Sequence, residues 1–385
     1  MEIAVNMRYI LRMNRGDKTY IWQQPDWPRW QFDSQRLNPL LSQVHHAQGL
    51  LQGRMRNIGF ALSEESTLTI LTSEVVKTSE IEGELLDPET VRSSVARRLG
   101  MDVGGLAPKD RRVDGVVNMV LDATQNFHAP LTRDLLFGWH KGLFPTGKMD
   151  ELEMRVGDWR DDTKGAMQVI SGPMGRESVH FEAPPAKLIP KEMTNFLHWF
   201  NQDQGLDPLV KSGLAHLWFV TIHPFEDGNG RIGRAVCDMV LARSEHSAQR
   251  FYSLSTQIRK ERESYYNLLE RTQKDSLEVT QWLEWFLGIL LRALQGAEES
   301  LNEVLTKARF WQEWAGTTLN PRQSTMLNKL LDGFNGNLTS NKWAVISKCS
   351  PDTSLRDITD LITKGLLMKA PAGGRSTHYQ LTPLD

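Results

Sequence analysis

At 385 residues, with 40% hydrophobic and 24% charged positions, the chain has the make-up of an ordinary globular protein long enough for two or three domains. A formal net charge of -2 excludes bulk attraction to nucleic acid, though not a local patch, and the two cysteines, Cys237 and Cys349, exclude a disulfide framework or a four-cysteine zinc site. No apolar run is long enough for a membrane span, and the start, with Arg8, Arg12 and Arg15, lacks the apolar core of a secretory signal, so the expected compartment is the cytoplasm with no membrane partner.

Residues 20–32 (YIWQQPDWPRWQF) are rich in Trp and Pro and read as an extended, packed segment. A helical pattern begins at Leu40, just past Pro39. Leu68, Leu71 and Val75 recur at three- and four-residue spacing in a helix expected to stop near Gly83. Asp87-Pro88 reads as the N-cap and first position of another helix, through Val91, Val95 and Leu99, and residues 100–109 read as a linker. A mostly helical block follows over 110–294, broken once. Short β-like runs at 167–170 and 179–181 flank Ser171-Gly172-Pro173-Met174-Gly175 and predict a hairpin with an exposed tip. Pro184 and Pro185 end it, and Met193, Phe196, Leu197 and Phe200 open a further amphipathic helix. No internal repeat is visible.

Val210, Leu214, Leu217, Trp218 and Thr221 share one face of the next helix, and the pattern resumes at Val236, Met239 and Val240. Between them lies His223-Pro224-Phe225-Glu226-Asp227-Gly228-Asn229-Gly230-Arg231-Ile232-Gly233-Arg234, a loop whose Gly-rich half sits on a helix N-terminus. Unpaired N–H groups and the positive dipole end suit an anion such as phosphate there. Gly228 and Gly230 let backbone approach closely, and Arg231 and Arg234, one helical turn apart, can grip the same oligophosphate. Asp227 offers a hard oxygen ligand suited to Mg2+, and His223 a base that is neutral at working pH. Three other readings compete. The match of residues 228–233 to G-x-G-x-x-G follows a helix rather than a strand and lacks the acidic residue about twenty positions on. A zinc site would need further ligands with suitable spacing, and a purely structural turn has no need of a His, an Asp and two Arg together.

The loop resembles the complete Fic-family motif, H-x-F-x-[DE]-G-N-G-R-x-x-R, with every defined position matched. The resemblance implies a mainly α fold: a Fic-type helical core with a β-hairpin flap. It also implies that His223 deprotonates a target hydroxyl, Phe225 anchors the loop in the core and Asp227 holds Mg2+. Gly228, Asn229 and Gly230 would form an anion hole, with Arg231 and Arg234 on the phosphates of ATP. Attack at the α-phosphorus would move AMP to a Ser, Thr or Tyr hydroxyl of a target protein, or of the chain itself, and release pyrophosphate. The hairpin over 167–181 resembles the family's flap, whose exposed edge could align a target strand. Tyr265-Tyr266-Asn267 falls on a later helix where the family often packs adenine, although aromatics at helical spacing are more often core.

Thr78-Ser79-Glu80-Ile81-Glu82-Gly83 resembles the inhibitory motif [ST]-x-x-x-E-[GN] that precedes some Fic domains, which implies that Glu82 pairs with Arg234 and blocks productive placement of ATP. The tail, residues 320–385, has eight Lys/Arg against five Asp/Glu. Ser350-Pro351-Asp352 caps a helix expected to bury Leu355, Ile358, Leu361 and Ile362 and to close at Gly365. With Leu366-Leu367, a Gly373-Gly374 turn and Tyr379-Gln380-Leu381 it is similar to a winged helix-turn-helix, in which Thr353 and Arg356 would face outward. Such a unit suits DNA binding or dimerisation and protein docking, so a homodimer is one outcome. The expected division is an N-terminal region with the inhibitory helix (1–109), a Fic catalytic domain (110–300) and a winged helix-turn-helix domain (315–385). The leading function is autoinhibited protein adenylylation. The alternatives are a DNA-binding regulator with a nucleotide-sensing core and a phosphodiesterase that removes AMP from modified protein.

Overall fold

A computed structural model of the protein describes residues 19–56, 60–101, 107–149, 152–172, 176, 178–331, 334, 336–370 and 377–383. The N-terminal basic residues, the hairpin tip at 173–175 and the Gly373-Gly374 turn therefore lie outside the described residues. The chain divides into two compact units, Met1–Ala297 and Glu298–Asp385. The first contains α1 (Ser34–Arg56), α2 (Phe60–Ile81), α3 (Pro88–Leu99), α4 (Arg111–Gln125) and α5 (Arg133–Leu143). A pair of two-residue strands, β1 (Lys148–Met149) and β2 (Leu152–Glu153), precedes the hairpin of β3 (Gln168–Ser171) and β4 (Ser178–Glu182). Then come α6 (Ile189–Asn201), α7 (Pro208–Ile222), α8 (Asn229–Glu245), α9 (Leu254–Lys260), α10 (Arg262–Gln273) and the long α11 (Thr280–Glu313), whose residues from Glu298 on belong to the second unit.

Local sequence explains most boundaries. Asp87, Asp110, Thr132, Asp207 and Ser253 each cap a helix by accepting a backbone N–H, a contact worth about 1 kcal/mol. Helix α3 stops at Gly100, which is left-handed. The onset of α1 differs from expectation. The helix starts at Ser34, six residues before Leu40, and carries Pro39 inside it. Asp33 supplies the start signal, since its carboxylate accepts the Arg36 N–H at 3.1 Å. Residues 20–32 are not simply extended, because a short 3-10 helix occupies Ile21–Gln23. They are packed as predicted. Trp27 and Trp30 meet Trp218 edge-on at 6.2 and 6.1 Å, and the Trp27 indole N–H donates to Glu192.

One hydrophobic core runs from α2 to α8, so the N-terminal helices and the motif-bearing helices are built on the same interior. At its centre α7 is buried on every side from Ser212 to Ile222, not on one face, as befits a helix surrounded by others. Helices α7 and α8 pack on each other, and the loop between them, 223–228, is held at the core's edge. The far end of α8 is tied by a sealed ion cluster. Buried Arg250 lies 3.1 Å from Asp238 and 3.9 Å from Glu245, over the Tyr252 ring at 4.4 Å. Glu245 also accepts from Tyr252 at 2.5 Å and from Gln48 at 2.9 Å.

The second unit has α12 (Pro321–Leu331), α13 (Ser340–Ile346), α14 (Pro351–Thr363) and a two-stranded antiparallel sheet of β5 (Leu367–Lys369) and β6 (Tyr379–Leu381). Ser350 caps α14 as expected, and Gly365 adopts φ 87° beyond its end. The buried face of α14 is Ser354, Ile358 and Leu361 around Trp343 and Phe310; Leu355, expected inside, is 49% exposed. A small serine holds the contact instead, donating to Ser340 O and to Pro351 O within its own helix.

Candidate active site

The site begins where α7 ends. His223 is the left-handed C-cap of that helix, at φ 52°, and its N–H bonds Phe219 O. A left-handed non-glycine residue is costly and aims its side chain away from the helix path. Here it points the imidazole inward, with Nδ1 3.2 Å from Val220 O. A carbonyl can only accept, so Nδ1 carries the proton and Nε2 is the basic nitrogen. Among the described residues, Nε2 is buried without a hydrogen-bond partner. Burial, with the charge of Arg160 beside it, pulls the imidazole down to about 4 and keeps it neutral.

Arg160 is the residue that fixes this turn. Its Nε donates to His223 O at 2.7 Å, its backbone N–H to Pro224 O at 3.0 Å, and its Nη2 to Pro184 O at 2.5 Å. One guanidinium thus links the motif loop to the segment leaving β4. Phe225 is fully buried, stacked on His140 at 4.2 Å and against Trp159 at 5.2 Å. His140 accepts the Gly157 N–H at Nδ1, which places its proton on Nε2, 3.2 Å from Asp227 O. Burial holds His140 at about 4 as well.

Asn229 braces the loop from inside. Its Oδ1 accepts the Phe225 N–H and its Nδ2 donates to Phe225 O, both at 2.9 Å. Its side chain thus fixes the loop's shape with one of its two N–H donors and its carbonyl oxygen. Gly228 is the N-cap of α8 at φ 80°, a conformation that favours glycine, with the Phe144 ring 3.0 Å from where a Cβ would stand. The first turn of α8 then presents its unpaired N–H groups, flanked by Asp227, Arg231 and Arg234. Burial pushes the Asp227 carboxyl upward, against the pull of Arg231 at 3.6 Å.

Both arginines are nearly inaccessible, and both are engaged. Arg234 donates to Thr78 Oγ1 at 2.7 Å and Thr78 O at 2.8 Å, and lies 2.8 Å from the Glu82 carboxylate. A Cβ on Gly230 would collide with that same carboxylate, so Glu82 stands directly over the first turn of α8. Arg231 donates to Glu84 at 2.6 Å and lies over the Phe144 ring at 5.2 Å. Tyr265 and Tyr266 are close by. Tyr265 is buried with its hydroxyl 2.9 Å from His216 Nε2, while Tyr266 donates to Ile81 O at 3.4 Å. Tyr265 is thus a core residue, and Tyr266 lies against the end of α2.

The hairpin pairs in antiparallel register with an irregularity between Val169 and Ile170. It is pinned to α10, since His180 Nδ1 lies 2.6 Å from Glu270 and its Nε2 2.5 Å from Ser171 Oγ. The structure thus gathers His223, Asp227, Gly228, Asn229, Gly230, Arg231, Arg234 and Glu82, as the sequence pattern predicts. Arg160, His140 and Glu84 were not foreseen. His140 shares a helical face with Leu136 and Leu143 and reads as core; Arg160 lies in an irregular loop with no periodicity to flag it. Among the described residues no group of three or more His, Cys, Asp or Glu side chains could hold a metal ion, and no helix is long and apolar enough to cross a membrane.

Residues 130–241 match the model of the Fic/DOC family, and residues 20–101 match a domain of unknown function, DUF4172. The chain therefore carries a Fic/DOC domain with the motif loop, α7 and most of α8 inside it. Over 103 residues it is 28% identical to a probable protein adenylyltransferase of Aquifex aeolicus, covering 27% of this chain and 30% of that one. Over 54 residues it is 44% identical to the protein adenylyltransferase Fic of Drosophila mojavensis, 14% of this chain and 11% of the relative. The chain thus matches less than a third of the length of these curated relatives. Among solved structures it is similar to a Fic family protein from Desulfovibrio desulfuricans G20, at 21% identity and TM-score 0.49, covering 90% of this chain and 97% of the other. Fic-1 of Caenorhabditis elegans is similar at 19% identity and TM-score 0.46, covering 70% and 76%.

Proposed function

We propose that this chain is a protein adenylyltransferase that moves AMP from ATP to a Ser, Thr or Tyr hydroxyl of a target protein or of itself, and that Glu82 holds it in check. The observation that carries the reading is the free, neutral Nε2 of His223 beside a helix N-terminus flanked by two arginines. Nε2 would take the proton of the incoming hydroxyl as its oxygen bonds the α-phosphorus. The bond from the α-phosphorus to the bridging oxygen breaks, and pyrophosphate leaves. The N–H groups of the α8 start would hold the phosphate oxygens, and Arg231 and Arg234 the outgoing charge. Asp227 fits as the protein ligand of Mg2+, which takes one or two carboxylates plus substrate phosphates and, when bound, would neutralise phosphate charge. The pinned hairpin of β3 and β4 would present the target strand, and Tyr266 is the better placed of the two tyrosines to meet adenine.

In the observed state Glu82 occupies Arg234 and overlies Gly230, so ATP cannot seat its terminal phosphates until that carboxylate moves. Incubating wild type, Glu82→Gly and His223→Ala with α-labelled ATP and Mg2+ tests the whole reading. Label on Glu82→Gly, faint on wild type and absent on His223→Ala, is expected. No label on three folded proteins, with candidate substrates supplied, would move the assignment to removal of AMP from modified protein.

The helices and hairpin of the second unit support a winged helix-turn-helix, with Arg356 exposed on α14. DNA or a second copy of the chain would be its partner, and gel shift at moderate salt with sedimentation in parallel separates the two.

A further inference from the structure

Two residues past Glu82 the same turn delivers a second carboxylate. Gly83 takes φ 88°, and the backbone N–H groups of Glu82 and Glu84 both return to Ser79 O at 3.0 Å. This folds the chain back at the end of α2 so that both acidic side chains face the start of α8. Glu82 lies on Arg234 at 2.8 Å; Glu84 lies on Arg231 at 2.6 Å. Arg231 has little else. Its side chain is 6% exposed, its Nε has no hydrogen-bond partner among the described residues, and Asp227 is 3.6 Å away. The inhibitory pattern in the sequence ends at Gly83 and says nothing of Glu84.

We propose that Glu84 is a second, separately acting residue of the nucleotide site, which holds Arg231 and excludes the inner pair of phosphates of a nucleoside di- or triphosphate. The inference rests on the adenylyltransferase reading in taking Arg231 as a phosphate ligand. Each guanidinium must exchange one charge-assisted carboxylate bond for phosphate, so each carboxylate sets a penalty on a different arginine. They also discriminate. With Arg234, gripped by Glu82, taken as the clamp for the outermost phosphate, removing Glu82 favours a triphosphate over a diphosphate. Removing Glu84 favours both alike. The Glu84 side chain is 30% exposed against 18% for Glu82, so its contact yields first, with less loss of buried charge pairing.

The test is equilibrium binding of ADP and of ATP, each with Mg2+, in a His223→Ala background that prevents turnover. Glu84→Gln should tighten both nucleotides about fivefold. Glu82→Gly should tighten ATP more than ADP, and the double variant should bind ATP more tightly than either single variant. Unchanged or weaker binding of both nucleotides in Glu84→Gln and Glu84→Ala, each with a cooperative melt, would overturn the proposal and make Glu84 a group that merely positions Arg231. The two readings fail separately. Label on Glu82→Gly with no effect of Glu84 on affinity leaves the transferase and removes this inference. Tighter binding in the Glu84 variants with no protein labelled does the reverse.

Discussion

Two buried arginines lie near opposite ends of α8 and are built in opposite ways. Arg250 is sealed: Asp238 and Glu245, each with side chains 5% exposed, face it, and the Tyr252 ring closes over it. Arg234 is as deeply buried, yet the side chain of its carboxylate partner, Glu82, is 18% exposed. Burial alone therefore does not mark a functional ion pair. What separates the two is whether the counter-charge can leave and something of like charge can replace it. Asp238 cannot leave without exposing a buried cation, whereas Glu82 sits where an anion's path ends.

The largest effect should come from the sealed pair. Asp238→Ala removes the nearer carboxylate and leaves buried Arg250 only Glu245, at 3.9 Å, so it should cost about 3–5 kcal/mol in denaturant unfolding. Glu82→Gly should cost less than half of that, because Thr78 still binds Arg234 through two oxygens. ATP or pyrophosphate should raise the Tm of Glu82→Gly and leave that of Asp238→Ala low; equal costs with no ligand rescue would erase the distinction. Acid comes next. Burial lowers His140, His216 and His223 to about 4, from 6.5 when unfolded. In that window the unfolded chain binds more protons, so stability is full above pH 6.5 and falls as pH drops toward 4, by roughly 1–3 kcal/mol per histidine. A flat stability profile between pH 7 and 4.5 would contradict the buried, neutral assignment. The smallest effect should be Gly230→Ala. Its methyl would push Glu82 off Arg234 while crowding the phosphate path, so ATP affinity should change little or fall, unlike the rise in Glu82→Gly.

Much of this was legible in the sequence, for definite reasons. The caps at Asp87 and Ser350 and the stop at Gly83 are local chemistry, and local chemistry survives into the fold. The motif loop was readable because its chemistry is contiguous. The misses share a different cause. Pro39 was read as a boundary although Asp33 had already capped a helix through it. Leu355 was placed inside by its apolarity, but Ser354 is the residue small enough for the contact with α13. Arg160, from a loop outside the motif, and Glu84, one residue beyond the inhibitory pattern, act across long sequence separations on single atoms, and no periodicity records that.

The carboxylates proposed to cover the phosphate site follow directly on the end of α2, and α2 shares its core with α7 and α8. An inhibitor carried by a separate subunit is diluted away, and its strength depends on how much of it is present. Glu82 and Glu84 have a fixed effective concentration, set by a turn of a few residues, which no change in protein level can alter. Release must therefore be intramolecular, a local opening near Gly83, or be driven by a ligand that binds the open form more tightly. On the proposed reading, the strength of the brake is set by the fold of the chain and not by the amount of a second, inhibitory molecule.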